Sequence, residues 1–435
     1  MTIDLRLTRR KALAAAATGL ALPVLHAGRG HGAETINFAT WSAGVDQVKA
    51  HLALFEKQSG IPVAYTNSPF AQYRETMITK FTGGAPVDVL WVSDSWLPEF
   101  AEAGWIEPVN PYPQLMAYDA ETSDFCTKSM TYKGKQYGLT YYTDYMAFLY
   151  DADMLAKAGI AAPPASWAEV TEQAKAIKAK GLSEYPVAIG LAQESWLIEF
   201  MSAMVFSHGG RFVDDSGQAA ASPGTVDALQ WLVDAVQTHA ILSPGAVQTG
   251  ELEVLKSLSA GRHAFALLPK YRLRVVNDKS QSQVAGHIRQ AMMPAGPGGS
   301  HATVGWMRFY GVTPRALANK ARAEAAIKLV EWFGGKADGQ YRFQKVVTEQ
   351  LGLGFGAKPL FDDPDIRRTL NQYGDVDLMA QQQDLAQKKD TIAPWFGEWN
   401  DANGVEWQQA VLGKKPAADA IKTSAAKWDA LRKLG

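Results

Sequence analysis

Aromatic rings stand beside charged or hydroxyl-bearing side chains at several separate places in this chain. Trp41-Ser42, Tyr142-Thr143-Asp144, Trp196 with Glu199, Lys270-Tyr271-Arg272 and Trp306 with Arg308 are such sets, Ser93-Asp94-Ser95 places a carboxylate between two hydroxyls, and Phe355 lies among glycines and Trp395 in an aromatic loop. Rings can cover flat C–H faces while carboxylates, amides and arginine forks hold hydroxyls, and 13 tryptophans and 15 tyrosines make such a receptor easy to build. Each candidate also has a structural reading. Asp94 can cap a helix, Asp144 can anchor the backbone if it finds a partner, and the one-turn spacing of Trp196 and Glu199 serves ordinary packing. Trp41, Phe355 and Trp395 can be core. On a strand Arg308 points the same way as Trp306, where it can meet Asp94, Asp144 or a negative ligand.

Catalysis finds little support in the motifs. A glycosidase needs two carboxylates across a cleft; Glu194, Glu199 and Glu398 are available, but no spacing selects a pair. There is no Gly-x-Ser-x-Gly, no His-Glu-x-x-His and no phosphate loop. Adjacent Tyr141 and Tyr142 suggest a ferric site, yet on a strand they face opposite ways. No cofactor or metal is expected.

The elements that must position these residues begin as strand and helix in alternation. Residues 35–39, 61–67 and 87–92 read as strands and 45–55 and 72–81 as helices, with Gly60 and Gly83-Gly84 as stops. That makes a parallel βαβ unit with Trp41-Ser42 and Ser93-Asp94-Ser95 at one rim, at the carboxyl ends of the strands. The stretch 137–150 is extended and apolar throughout; at roughly 3.3 Å per residue it would run about 45 Å, well past an ordinary strand. One strand of one sheet is therefore not expected. The stretch reads instead as a crossing from one lobe to a second, with Thr143 and Asp144 at the hinge. Beyond it, Ser166-Trp-Ala-Glu169 reads as a capping box, 185–190 as a strand, 196–206 and 225–238 as helices, and 261–268 and 304–312 as extended segments able to cross again.

A chain of 435 residues, 47% hydrophobic and 20% charged, suits two folded domains. A net charge of −1 leaves no basic footprint for nucleic acid. Thr8-Arg9-Arg10-Lys11 before the apolar stretch 12–25, then small residues to Ala33, reads as an export leader of the twin-arginine kind over 1–33. Cys126 is the single cysteine, so no internal disulfide forms. No cysteine follows the leader to carry a lipid, which points to a free periplasmic protein.

The leader, the run Gly83-Gly-Ala-Pro-Val-Asp-Val89, the segment 137–153 with Leu149-Tyr150-Asp151, Trp167 opening a helix, Gly261-Arg-His-Ala-Phe-Ala266, Val304-Gly-Trp306 and the aromatic loop 394–399 follow one order. In that order the chain resembles the extracellular solute-binding proteins, family 1, of ABC importers, over nearly its whole length after the leader. The resemblance implies an α/β, two-lobed Venus-flytrap fold with three interlobe crossings, expected here as 34–142 plus 268–310 for the first lobe and 143–267 plus 311–435 for the second. It implies a carbohydrate held between the lobes by a monomer that delivers it to a membrane permease with its ATPase. It also gives Trp306 and Tyr271 family contact positions. Whether Arg308, Arg272 and Lys270 meet an anionic sugar or are neutralised by Asp94 and Asp144 stays open.

Overall fold

A computed structural model describes residues 34–434; the leader expected at 1–33 lies outside the described residues. The strands of the main sheet are β1 (Ile36–Trp41), β2 (Val63–Ser68), β3 (Val89–Ser93), β4 (Leu139–Asp151), β5 (Val187–Ala188), β6 (Phe265–Pro269), β7 (Ile288–Ala291), β8 (Thr303–Val312) and β9 (Ala386–Lys388). The principal helices are α1 (Val45–Ser59), α2 (Phe70–Thr82), α3 (Trp167–Ala179), α4 (Leu197–Ser207), α5 (Pro223–Gln237), α6 (Glu251–Ser259), α7 (Lys320–Gly334), α8 (Arg342–Leu351), α9 (Phe396–Val411) and α10 (Ala417–Arg432).

The opening alternation forms as its periodicity predicts. Val48, Leu52 and Phe55 bury one face of α1, which ends at Gly60 in the left-handed conformation that relieves its last carbonyls. β1 pairs parallel with both β2 and β3, and β3 is buried at every position, as a strand covered on both faces must be.

The stretch 137–150 departs from expectation. Most of it lies in one 13-residue strand, β4, inside one nine-stranded sheet of order β2-β1-β3-β8-β4-β6-β5, with β9 on β8 and β7 on β4. The strand outruns the usual length because it changes neighbours midway. Residues up to Tyr145 pair antiparallel with β8, and from Met146 onward the partners are β6 and β7. One strand thus belongs to both halves.

Packing departs from the expected division in places. α7 and α8, placed by that division in the second lobe, pack on the first: the Phe333 ring lies 5.1 Å from Phe38 and 4.8 Å from His51, and Phe343 lies 5.8 Å from Tyr141. β7, placed in the first, pairs with the far half of β4. The strand expected over 185–190 keeps only two residues. At α3 the Ser166 hydroxyl accepts from Glu169 N–H, but the Glu169 carboxylate accepts from Ala165 N–H rather than closing the box on Ser166. No helix among the described residues is long and apolar enough to cross a membrane.

Candidate functional site

The register of two central strands assembles the site. In the antiparallel pairing of β4 and β8, Trp306 stands opposite Asp144 and Arg308 opposite Tyr142, while Arg308 also stands opposite Ser93 of β3. Opposed residues share a face, and so do residues two apart. Trp306, Arg308, Tyr142 and Asp144 are therefore brought to one patch by strand geometry alone.

Each charge in this patch has a partner. The Asp94 carboxylate, fully buried, accepts from Arg308 at 2.8 Å, from Ser95 N–H at 2.9 Å and from Met307 N–H at 3.3 Å. Burial pushes this carboxyl up, but the charges of Lys389 and Arg308 and the two N–H groups outweigh it, and it sits below its usual range. Asp144, also fully buried, accepts from Tyr145 N–H at 2.9 Å and lies 3.8 Å from the Lys270 ammonium. There burial prevails over Lys270, and the carboxyl is pushed up to about 6. Arg272 closes a two-pronged pair on Glu251 at 2.6 and 2.9 Å and stacks over Tyr271. Its charge is spent inside the protein.

Lys389 lies in an ordinary polar run that nothing in the residue pattern singles out. Its ammonium, almost fully buried, donates to Ser95 Oγ and to Glu199 Oε1, both at 3.0 Å, and so ties the end of β3 to α4. Such a role depends on contacts between distant segments, which composition does not report.

The aromatic members divide. Trp41 is half-buried with its plane nearly parallel to Trp91, 5.1 Å away, and to Tyr142, 6.0 Å away. Trp196, at the start of α4, meets Trp306 edge to face at 5.3 Å. Tyr271 is half-buried two residues after β6, directly after Lys270. Ser42 is exposed and donates to Asn67 at 3.0 Å. Phe355, by contrast, is buried against Phe361, and Trp395 packs on Trp428 beside α10.

Four buried polar atoms in this region lack a well-formed hydrogen-bond partner among the described residues: Asp144 Oδ2, Glu199 Oε2, Trp306 Nε1 and Arg308 Nε. Two accept and two donate. Orphaned buried groups are costly unless something completes them.

The catalytic and ferric alternatives lose their residues to other work. Glu199 is held by Lys389, Glu194 accepts from Glu251 N–H at 2.7 Å, and Glu398 pairs with Lys427 at the surface. Against the expectation of opposite faces, a register shift at Tyr141 brings its ring edge to face with Tyr142 at 5.3 Å, but Tyr141 is buried among Tyr310 and Phe343 and its hydroxyl accepts from the Trp41 indole N–H. Asp151, Asp153 and His287 do bring ligand atoms within 4.8 Å of one another, but Asp151 caps the helix that follows and Asp153 pairs with Lys157.

A model of the bacterial extracellular solute-binding protein family matches residues 32–340. A probable ABC transporter-binding protein of Deinococcus radiodurans is 28% identical over 94% of this chain and 96% of its own length. A mannitol-binding protein of Pseudomonas aeruginosa is 25% identical over 78% of this chain and 75% of its own. Among solved structures, maltose-bound T. maritima MalE3 matches with a TM-score of 0.74 at 24% identity, covering 91% of this chain and 99% of that one, and shares the two-lobed fold.

Proposed function

Because this chain belongs to the bacterial extracellular solute-binding proteins, we propose that it captures a small neutral saccharide, glycoside or polyol between its lobes and hands it to the permease of an ABC importer. Hydrolysis of ATP falls to the partner, the ligand leaves unaltered, and the receptor works as a periplasmic monomer exported by its leader. The names of the mannitol-binding and maltose-bound relatives support the ligand class.

The observation that carries the neutral reading is the pairing of charge. Lys270, Arg308 and Lys389 meet Asp144, Asp94 and Glu199, and Arg272 meets Glu251. Each of these four cations thus meets a carboxylate within the protein, which supports a neutral ligand over an acidic or sulfonated sugar or a phosphodiester. A hydroxyl both gives and takes a hydrogen bond, so a polyol can complete the orphaned donors and acceptors together. An anion would satisfy the donors and repel the carboxylates of Asp144 and Glu199.

A ligand touching both lobes binds the closed form better and shifts the population toward it. A thermal-shift and calorimetric screen over mannitol, maltose, other neutral glycosides, uronic acids and sulfonated sugars tests the proposal. Neutral compounds should raise the unfolding temperature by mass action and shrink the particle in small-angle scattering. Tighter binding by the anionic compounds would overturn the neutral reading, and saturation without compaction would count against capture between lobes.

A further inference from the structure

Beyond the central patch, the carboxyl ends of β1, β2 and β3 carry a second group of rings. Trp41 ends β1, Phe70 opens α2 two residues after β2, and Trp96 closes the turn that follows β3. The Phe70 ring lies 5.8 Å from Trp41, 6.1 Å from Trp91 and 6.2 Å from Trp96, nearly parallel to the last. Trp91 is fully buried and Trp41 and Trp96 are half-buried, yet Phe70 remains 44% exposed. A lone exposed phenylalanine is unremarkable in any protein. This one is supported from below by three tryptophans and is continuous, through Trp41, with Tyr142 of the central patch.

Polar groups flank the same ledge. Ser42 and Asn67 are exposed at the ends of β1 and β2 and hydrogen-bonded to each other at 3.0 Å, so a hydroxyl and an amide sit beside the rings. Rings with amide and hydroxyl neighbours can stack a sugar face and hold its edge.

We propose that Phe70, backed by Trp96 and flanked by Ser42 and Asn67, is an outer stacking subsite for a second pyranose ring, so that the ligand has at least two linked rings rather than one ring or an open-chain polyol. This rests on the reading of the central patch as a saccharide site and narrows it. The inner ring occupies the patch at Trp306 and Asp144, and the next lies along the rim over Phe70. Because Phe70 is exposed, truncating it removes ligand surface without opening the core.

The test is calorimetric titration of the whole protein and of Phe70→Ala with mannitol and with neutral mono-, di- and trisaccharides of several linkages, each variant first shown to unfold cooperatively. The tightest ligand should have two or more rings, and Phe70→Ala should weaken it about tenfold while binding of single rings and mannitol changes less than about twofold. Phe70→Trp, which keeps an aromatic face, should retain multi-ring binding. A tightest ligand with one ring or none, or multi-ring binding indifferent to Phe70→Ala, overturns the subsite and leaves the central reading standing. If no saccharide and no mannitol binds, the central reading itself fails and the subsite falls with it.

Discussion

The ammonium of Lys389 lies 3.0 Å from a carboxylate oxygen of Glu199, and both side chains are almost wholly buried. A pair so placed gives less net stability than its distance suggests, because both ions lost their water to form it. Removing one member is another matter. Lys389→Met should leave the Glu199 charge stranded and lower stability by about 3–5 kcal/mol. Adding Glu199→Leu to that variant should recover most of the loss. Urea unfolding of the two variants decides: a single variant as stable as the parent would show that the pair holds nothing.

Asp144 sets a pH dependence whose sign follows from its surroundings. Its carboxyl is pushed up to about 6, against an ordinary value near ~4 in the unfolded chain. Between these values the folded chain keeps a proton that the unfolded chain has released, so this group's contribution to stability is full below about pH 4 and is lost as pH rises to about 6. The slope reaches at most about 1.4 kcal/mol per pH unit. Asp390, also raised to about 6 by burial, acts with the same sign. Comparing the parent with Asp144→Asn by denaturant titration at pH 4, 5, 6 and 7 isolates the first group: the parent should gain on the variant toward pH 4, and a constant difference would contradict the assignment.

Trp306 is 1% exposed, so Trp306→Ala would open a cavity costing about 3–5 kcal/mol and confuse folding with binding. Trp306→Phe is the cleaner probe, since it keeps most of the ring and removes the orphaned indole N–H. Affinity for whichever neutral ligand the screen identifies should fall about tenfold, while the smaller ring costs the free protein only about 1–2 kcal/mol. An unaltered Kd would take this N–H out of the site.

Arg272 reads as a structural residue through its two-pronged contact with Glu251. Arg272→Lys cannot reproduce the fork and should lower stability by about 1–2 kcal/mol. Calorimetry on the folded variant should return a Kd within about threefold of the parent. A large loss of affinity with stability intact would restore this arginine to the ligand.

How much of this was legible beforehand differs by level. The βαβ opening could be read because Val48, Leu52 and Phe55 repeat at helical spacing and glycine stops follow. The shared face of Trp306 and Arg308 could be read because strand side chains alternate strictly. Which cation meets which carboxylate could not, since Arg308 and Asp94 are far apart in the chain and any of several acids would have served. Lys389 was missed for the same reason. Phe355 and Trp395 were expected near the ligand on their aromatic character, but a ring is equally suited to a core, and only packing against Phe361 and Trp428 separates the two uses. The unusual length of 137–150 is visible in the sequence; that one strand changes neighbours halfway and remains a strand depends on its partners, which lie far away in the chain.

That change of neighbours falls between Tyr145 and Met146, immediately beside Asp144. The closure that the proposed capture requires would be taken up partly as twist at this point, which would place Asp144 on the axle. A force applied on an axle has no moment arm: whatever grips Asp144 alone can anchor cargo but cannot swing the jaws. Torque must come from grips farther out, at Trp196 on one side and the Ser42 rim on the other, and a cargo too short to reach either would be held without the door being pulled shut.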